Sequence, residues 1–197
     1  MPYQVLLFYK YVALSGDLIV LREQLRETCK NLGLKGRIII ASEGINGTLE
    51  GTVEQTEEFI RKLSLDPSFS GINWKKSAGT GDCFPKLSVK IRPEIVTTGI
   101  QNKDFGPLHG QTGKYISADT LYSWFMSQKE FFILDMRNDY EYEVGRFINS
   151  IFPQGLYHFR DVPKVINSLI HLKDKPIVTV CTGGVRCETA SGLLQKY

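Results

Sequence analysis

The chain has 197 residues, 42% of them hydrophobic, which allows one substantial core or two small ones and excludes fibrous, collagenous and disordered classes. Its formal charge of +3 is too slight to name a partner by itself. The opening "VLLFY" stops at Lys10, too short for a signal-peptide core or a membrane span, and the four cysteines (Cys29, Cys83, Cys181, Cys187) lack the close, even spacings of a disulfide framework, so a cytoplasmic protein with reduced thiols and no membrane partner is expected.

In chain order, "YQVLLFYKYV" predicts a strand and "GDLIVLREQLRETCKNLG" a helix, with Leu18, Leu21 and Leu25 at helical spacing and Gly33 as its stop. "GRIIIAS" and "EGINGTLEG" predict two strands about a turn in which Asn46-Gly47 accepts positive φ. A helix over Val53–Leu63, closed by Asp66-Pro67, and a last strand "KLSVKIR" complete the order βαββαβ. That is the order of a ferredoxin-like or acylphosphatase-like α+β sandwich, expected over residues 1–94. From Arg61 to Arg92 there are seven Lys/Arg against two acids, a bias that suits either a phosphate backbone or an ordinary solvated face. Lys75, Lys76 and Lys86 are the RNA-binding candidates within it.

Residues 95–114, rich in Gly and polar side chains, predict a connector. A second unit is expected over 115–197. "SADTLYSWFMSQ" predicts a capped helix, "FFILD" an apolar strand, "VPKVINSLIHL" a helix and "KPIVTV" another apolar strand. Strands apolar on both faces and separated by helices imply an α/β domain with a parallel sheet covered on both sides, whose site lies beyond the carboxyl ends of its strands. Those ends are Asp135, followed by Arg137, and Cys181.

In "VTVCTGGVRCETA", Thr182, Gly183, Gly184, Val185 and Arg186 are expected to wrap from the strand into a helix opening near Cys187. Backbone N–H groups of such a loop can converge into an anion nest, the helix N-terminus adds partial positive charge, and Arg186 supplies a cation that binds an anion or braces the loop. A Cys181 thiolate is stabilised there. The other readings are a core cysteine beside a plain turn, a zinc ligand and a phosphatase nucleophile. The Cys181/Cys187 spacing is not C-x-x-C and no histidine is near, so no metal is expected; the loop has four residues between cysteine and arginine where phosphatases have five.

"CTGGVRCE" together with "FFILDMRNDYEYEVGRF" resembles the rhodanese-domain proteins of bacteria, and the addition of "ASEGINGTLEG" and "KLSVKIRPEIVTTG" resembles, more narrowly, the tRNA uridine hydroxylase family. The resemblance spans the chain. It implies an acylphosphatase-like domain followed by a rhodanese-like domain, with oxygen-dependent conversion of the wobble uridine of tRNA to 5-hydroxyuridine. Cys181 would be its catalytic cysteine, Thr182 to Arg186 the active-site loop, tRNA the partner and molecular oxygen the co-substrate, with no evident resident cofactor. Asp135 and Arg137 match an Asp-x-Arg near the rhodanese site. Their other reading is structural, Asp135 capping a turn and Arg137 pairing with Glu141 or Glu143. Cys187 is a resolving thiol or a packing residue. Because rhodanese domains usually continue past the helix after the active loop, a chain stopping at Tyr197 is expected to be a fragment or to hold an incomplete sheet. Two other functions share these residues: a sulfurtransferase carrying a persulfide on Cys181, and a noncatalytic RNA-binding module, against which an intact Cys181 argues. The oligomeric state is not legible.

Overall fold

In "YQVLLFYKY" alternate side chains turn inward, and this run forms β1, Tyr3–Tyr11, burying Leu6 and Phe8. The structure, a computed structural model, describes residues 2–100 and 103–197. The chain divides into two compact units, Met1–Val96 and Thr97–Tyr197.

In the first unit, α1 (Leu18–Asn31) starts where the Asp17 carboxylate accepts the N–H groups of Ile19 and Val20, and ends before Gly33, whose φ is +67°. Its Leu25 and Cys29, one turn apart, enter the core, with Leu18 and Leu21 packed beside them. β2 (Lys35–Ala41) and β3 (Gly44–Thr52) follow, then α2 (Val53–Leu63), begun by a reciprocal capping box between Thr52 and Gln55. β4 (Lys75–Gly79) and β5 (Leu87–Ile91) complete one sheet in the order β4-β1-β3-β2-β5, antiparallel except for the β2–β5 pair. Phe8, Phe59 and Trp74 meet in the core with ring centroids 5.0–6.4 Å apart.

Two local expectations change. The turn between β2 and β3 is at Ser42–Glu43, not Asn46-Gly47, which lies inside β3 without positive φ. Gly47 is paired with Phe8, and a Cβ there would stand 2.4 Å from the Phe8 ring, so the missing side chain makes room for an aromatic rather than for a turn. Second, the fourth strand of the sandwich is "KKSAG", and "KLSVKIR" supplies an extra strand on the opposite edge beside β2. "KKSAG" is an exposed edge strand with little apolar alternation to announce it.

In the second unit, β6 (Phe132–Asp135) and β7 (Ile177–Val180) pair in parallel, with Leu134 also bridging to Ile151. Every β7 residue is half-buried rather than fully buried, and β7 is an edge of the two-stranded described sheet. α3 is Ala118–Met126, and α4 (Asp139–Val144), absent from the expected elements, follows β6. The expected helix "VPKVINSLIHL" is a short α5 (Val162–Val165) running into a 3₁₀ segment, Ile166–Leu172. Its buried Ile166, Leu169 and Leu172 recur every three residues, the 3₁₀ repeat. The last helix, α6, is Val185–Lys196.

The expected connector 95–114 is divided. Ile95 is buried in the first unit, its N–H donated to Glu43 Oε1 at 2.8 Å and its carbonyl accepting Asn46 Nδ2 at 3.0 Å. Residues 106–113 pack on α6: a Cβ on Gly192 would lie 2.4 Å from the Gln111 carbonyl, and Gly113 N–H donates to Ser191 Oγ at 2.8 Å. Gln101 and Asn102 of that stretch, and Met1, lie outside the described residues. No described helix is long and apolar enough to cross a membrane.

Candidate active site

β7 ends at Val180, and Cys181 stands at its carboxyl end beside Asp135, the last residue of β6. The loop is tighter than expected. Gly184, at φ +97°, is the N-cap of α6, so Val185 and Arg186 are already in its first turn and Cys187 is its third residue. Only a residue tolerant of the left-handed region reverses the chain this sharply. Gly184 has no side chain to cap the helix, and the Cys181 sulfur occupies that role, accepting the Gly184 N–H at 3.0 Å.

The Cys187 side chain is hydrogen-bonded to the Cys181 sulfur, and this contact is the largest cause of a Cys181 pKa drawn well below the usual thiol range; burial opposes it, while the Cys187 N–H, the Arg186 charge and the Gly184 N–H favour the thiolate. The reciprocal effect pushes Cys187 well above the usual thiol range, with burial and the Cys181 charge adding to it. Of the loop N–H groups expected to converge on the sulfur, that of Gly184 does so, and the other hydrogen bonds come from Cys187 on α6. Cys29 is buried and pushed up to about 12 by that burial, whereas Cys83 is exposed; all four cysteines are free.

Arg186 braces the loop instead of opening toward a ligand. Its guanidinium grips Glu141 of α4 in a fork, at 2.7 and 2.8 Å, and donates to Thr182 Oγ1 at 2.8 Å. Thr182 also donates to Glu141. Burial would raise the Glu141 carboxyl, but hydrogen bonds from Arg186 and Thr182, with the Arg186 charge, take it to about 2. Glu141 was not singled out as a site residue from the sequence, although "NDYE" carries its signature: Asn138 and Glu141 form the capping box of α4.

Asp135 is buried, and it caps its turn by accepting the Arg137 N–H at 3.0 Å. Arg137 pairs with Asp135 itself, at 2.7–3.1 Å, and not with Glu141 or Glu143; a further N–H reaches the Gly145 carbonyl at 2.6 Å. Glu141 is occupied by Arg186 and Thr182. Asp135, Arg137, Arg146, Phe147, Cys181 and Thr182 line one cavity of about 320 Å³, a volume suited to a small molecule or one nucleoside. Arg146 and Phe147 sit inside "EYEVGRF" and carried no local signal of their own. Among the described residues, no group of three or more His, Cys, Asp or Glu side chains is arranged to hold a metal ion.

The basic candidates of the first unit do not converge. Lys75 and Lys76 are on β4, Lys86 precedes β5, and those strands form opposite edges of the sheet, about 19 Å apart at the usual strand spacing. Lys76 is ion-paired with Glu57, and Lys75 lies over the Tyr9 ring at 5.3 Å.

Residues 3–95 match the family model described as the UPF0176 acylphosphatase like domain, and residues 117–197 match the rhodanese-like domain. A Bacillus cereus protein named tRNA uridine(34) hydroxylase is 44% identical over 196 residues, which is 99% of this chain and 60% of that protein, and a Bacillus anthracis protein of the same name matches to the same extent. The chain is similar to tRNA uridine(34) hydroxylases over nearly its whole length and carries the two matched domains in that order. It spans 60% of the length of these curated relatives. An acylphosphatase from Coxiella burnetii aligns over 45% of this chain and 93% of its own at 14% identity, with a TM-score of 0.34. The two family models by themselves give an acylphosphatase-like first half and a rhodanese-like second half, the latter carrying the Cys181 loop.

Proposed function

We propose that the protein modifies tRNA by adding a hydroxyl group to C5 of the wobble uridine, with molecular oxygen as co-substrate, no resident cofactor and Cys181 as the catalytic nucleophile. The observation that carries this reading is the Cys181 sulfur, an acidic thiol in a nest of three donors at the wall of a nucleoside-sized cavity. The name borne by its relatives supplies the substrate class.

Uracil is an unsaturated carbonyl, so a thiolate can add to C6. The Sγ–C6 bond forms, the C5=C6 electron pair moves onto C5 and O4, and C5 becomes the electron-rich carbon at which oxygen enters. Insertion of one oxygen atom from O2 sends the other to water and takes two electrons and two protons, which an external small thiol supplies by forming its disulfide. Loss of the C5 proton and departure of the Cys181 thiolate restore the ring. The Glu141–Arg186 pair braces the loop that carries the sulfur for this sequence. The reaction belongs in the cytoplasm, where thiols stay reduced.

The test is incubation of unmodified tRNA with the protein and a small thiol in air, followed by mass spectrometry of the nucleosides. Gain of one oxygen on uridine, absent without O2 and with Cys181→Ala, is expected. A sulfur-bearing nucleoside, or rapid turnover of thiosulfate over unmodified tRNA, would make the protein a sulfurtransferase instead.

A further inference from the structure

Three arginines stand at or beside the Cys181 cavity, and two are already neutralised. Arg137 is held by Asp135 and Arg186 by Glu141. With those pairs cancelled, a Cys181 thiolate alone would leave the cavity negative and unwelcoming to an anionic substrate. Arg146 is the exception. It is exposed, lines the cavity, and makes no hydrogen bond or ion pair to another described residue. Its guanidinium stands 4.8 Å over the Tyr142 ring, which in turn stacks on Phe152 at 4.5 Å and donates its hydroxyl to the Ser150 carbonyl at 3.2 Å. A cation–π seat positions an arginine while leaving its N–H fork unused. The neighbouring Phe147 lines the same cavity and is 43% exposed. An aromatic face beside an open guanidinium fork is the pairing that takes a base and its phosphate.

We propose that Arg146 binds a phosphodiester oxygen of the nucleotide whose base enters the Cys181 cavity, with Phe147 against the base. The identity of the anion as RNA rests on the hydroxylase reading; the anion-binding role of Arg146 does not.

Two alkylating probes separate those claims. Iodoacetate is an anion and iodoacetamide a neutral molecule of nearly the same size, so the ratio of their rates at Cys181, corrected for their ratio at a free thiol, reports attraction of negative charge to the cavity without tRNA. In Arg146→Gln the ratio falls about three- to tenfold at low salt, and Arg146→Lys restores most of it. With tRNA, Arg146→Gln raises KM by a similar factor while kcat stays within about twofold, the pattern of lost binding common to ground and transition states. Because Arg146 is exposed and rests on the Tyr142 ring with no hydrogen bond or ion pair to another described residue, Arg146→Gln is expected to leave the fold intact. An unchanged alkylation ratio overturns the proposal, as does a changed ratio with an unchanged KM for tRNA. A fallen ratio in a protein that adds no oxygen to any tRNA refutes the hydroxylase reading while the anion site stands.

Discussion

Cys181 owes its acidity to where its neighbours' hydrogen atoms point. A sulfur at a strand end, capping a helix whose own N-cap is a glycine, collects the Gly184 and Cys187 N–H groups and the Cys187 thiol. Iodoacetamide is therefore expected to label Cys181 ahead of Cys29, Cys83 and Cys187 at neutral pH, with a midpoint well below the free-thiol value of ~8.5; mass mapping of the labelled peptides measures it, and faster labelling of Cys83 would contradict it. Replacing the donor by Cys187→Ala raises the Cys181 midpoint by about one unit or more, while Cys187→Ser, which keeps an O–H donor, raises it less. The loop was legible because strand, cysteine, paired glycines and helix are contiguous in sequence. The partner of Arg186 was not, because Glu141 is 45 positions away and only the fold brings it there.

Among the elements, α4 and α6 are tied by the Glu141–Arg186 fork, and that tie is sensitive to acid. The folded Glu141 carboxyl titrates near 2, below its unfolded value of about 4.3, so its stabilisation is fully present above about pH 5 and is lost as pH falls toward 2. Wild type should accordingly lose more thermal stability than Glu141→Gln between about pH 5 and pH 2.5, although the variant starts lower at pH 7; parallel curves would contradict the fork's role. In the first unit, Gly47→Ala forces a methyl group against the Phe8 ring and should cost roughly 1–3 kcal/mol in denaturant unfolding. "ASEGINGTLEG" and "KLSVKIRPEIVTTG", which resemble the hydroxylase family, meet in space: Glu43 and Asn46 hold the two backbone groups of Ile95. Most strands and helices of this unit were legible from alternation and capping. β4 was not, since an exposed polar edge strand has no buried face to leave a periodic trace.

For the whole molecule, the order of domains was legible because each half carries its own hydrophobic pattern, while the boundary was blurred by Gly-rich segments that nevertheless pack, as Gly113 does on Ser191. Charge is where the whole-chain reading needed structure most. The basic run from Arg61 to Arg92 looks continuous in sequence, yet Lys76, Arg61 and Lys62 are paired with acids of α2 and the remaining lysines are divided between the two sheet edges. If the first unit holds RNA, the combined change of Lys75, Lys76 and Lys86 to Glu weakens tRNA binding and reduces the log–log salt slope by about 0.9 or less per phosphate contact removed. A slope that stays constant in filter-binding titrations would leave RNA holding to the rhodanese-like half. The central claim, that Cys181 chemistry puts an oxygen atom from O2 onto uridine, is tested most directly by running the tRNA reaction under heavy-oxygen gas in ordinary water. The expected product is 5-hydroxyuridine carrying the heavy isotope, formed by wild type and not by Cys181→Ala; a light hydroxyl drawn from water, a sulfur-bearing nucleoside, or the same yield from Cys181→Ala would contradict it.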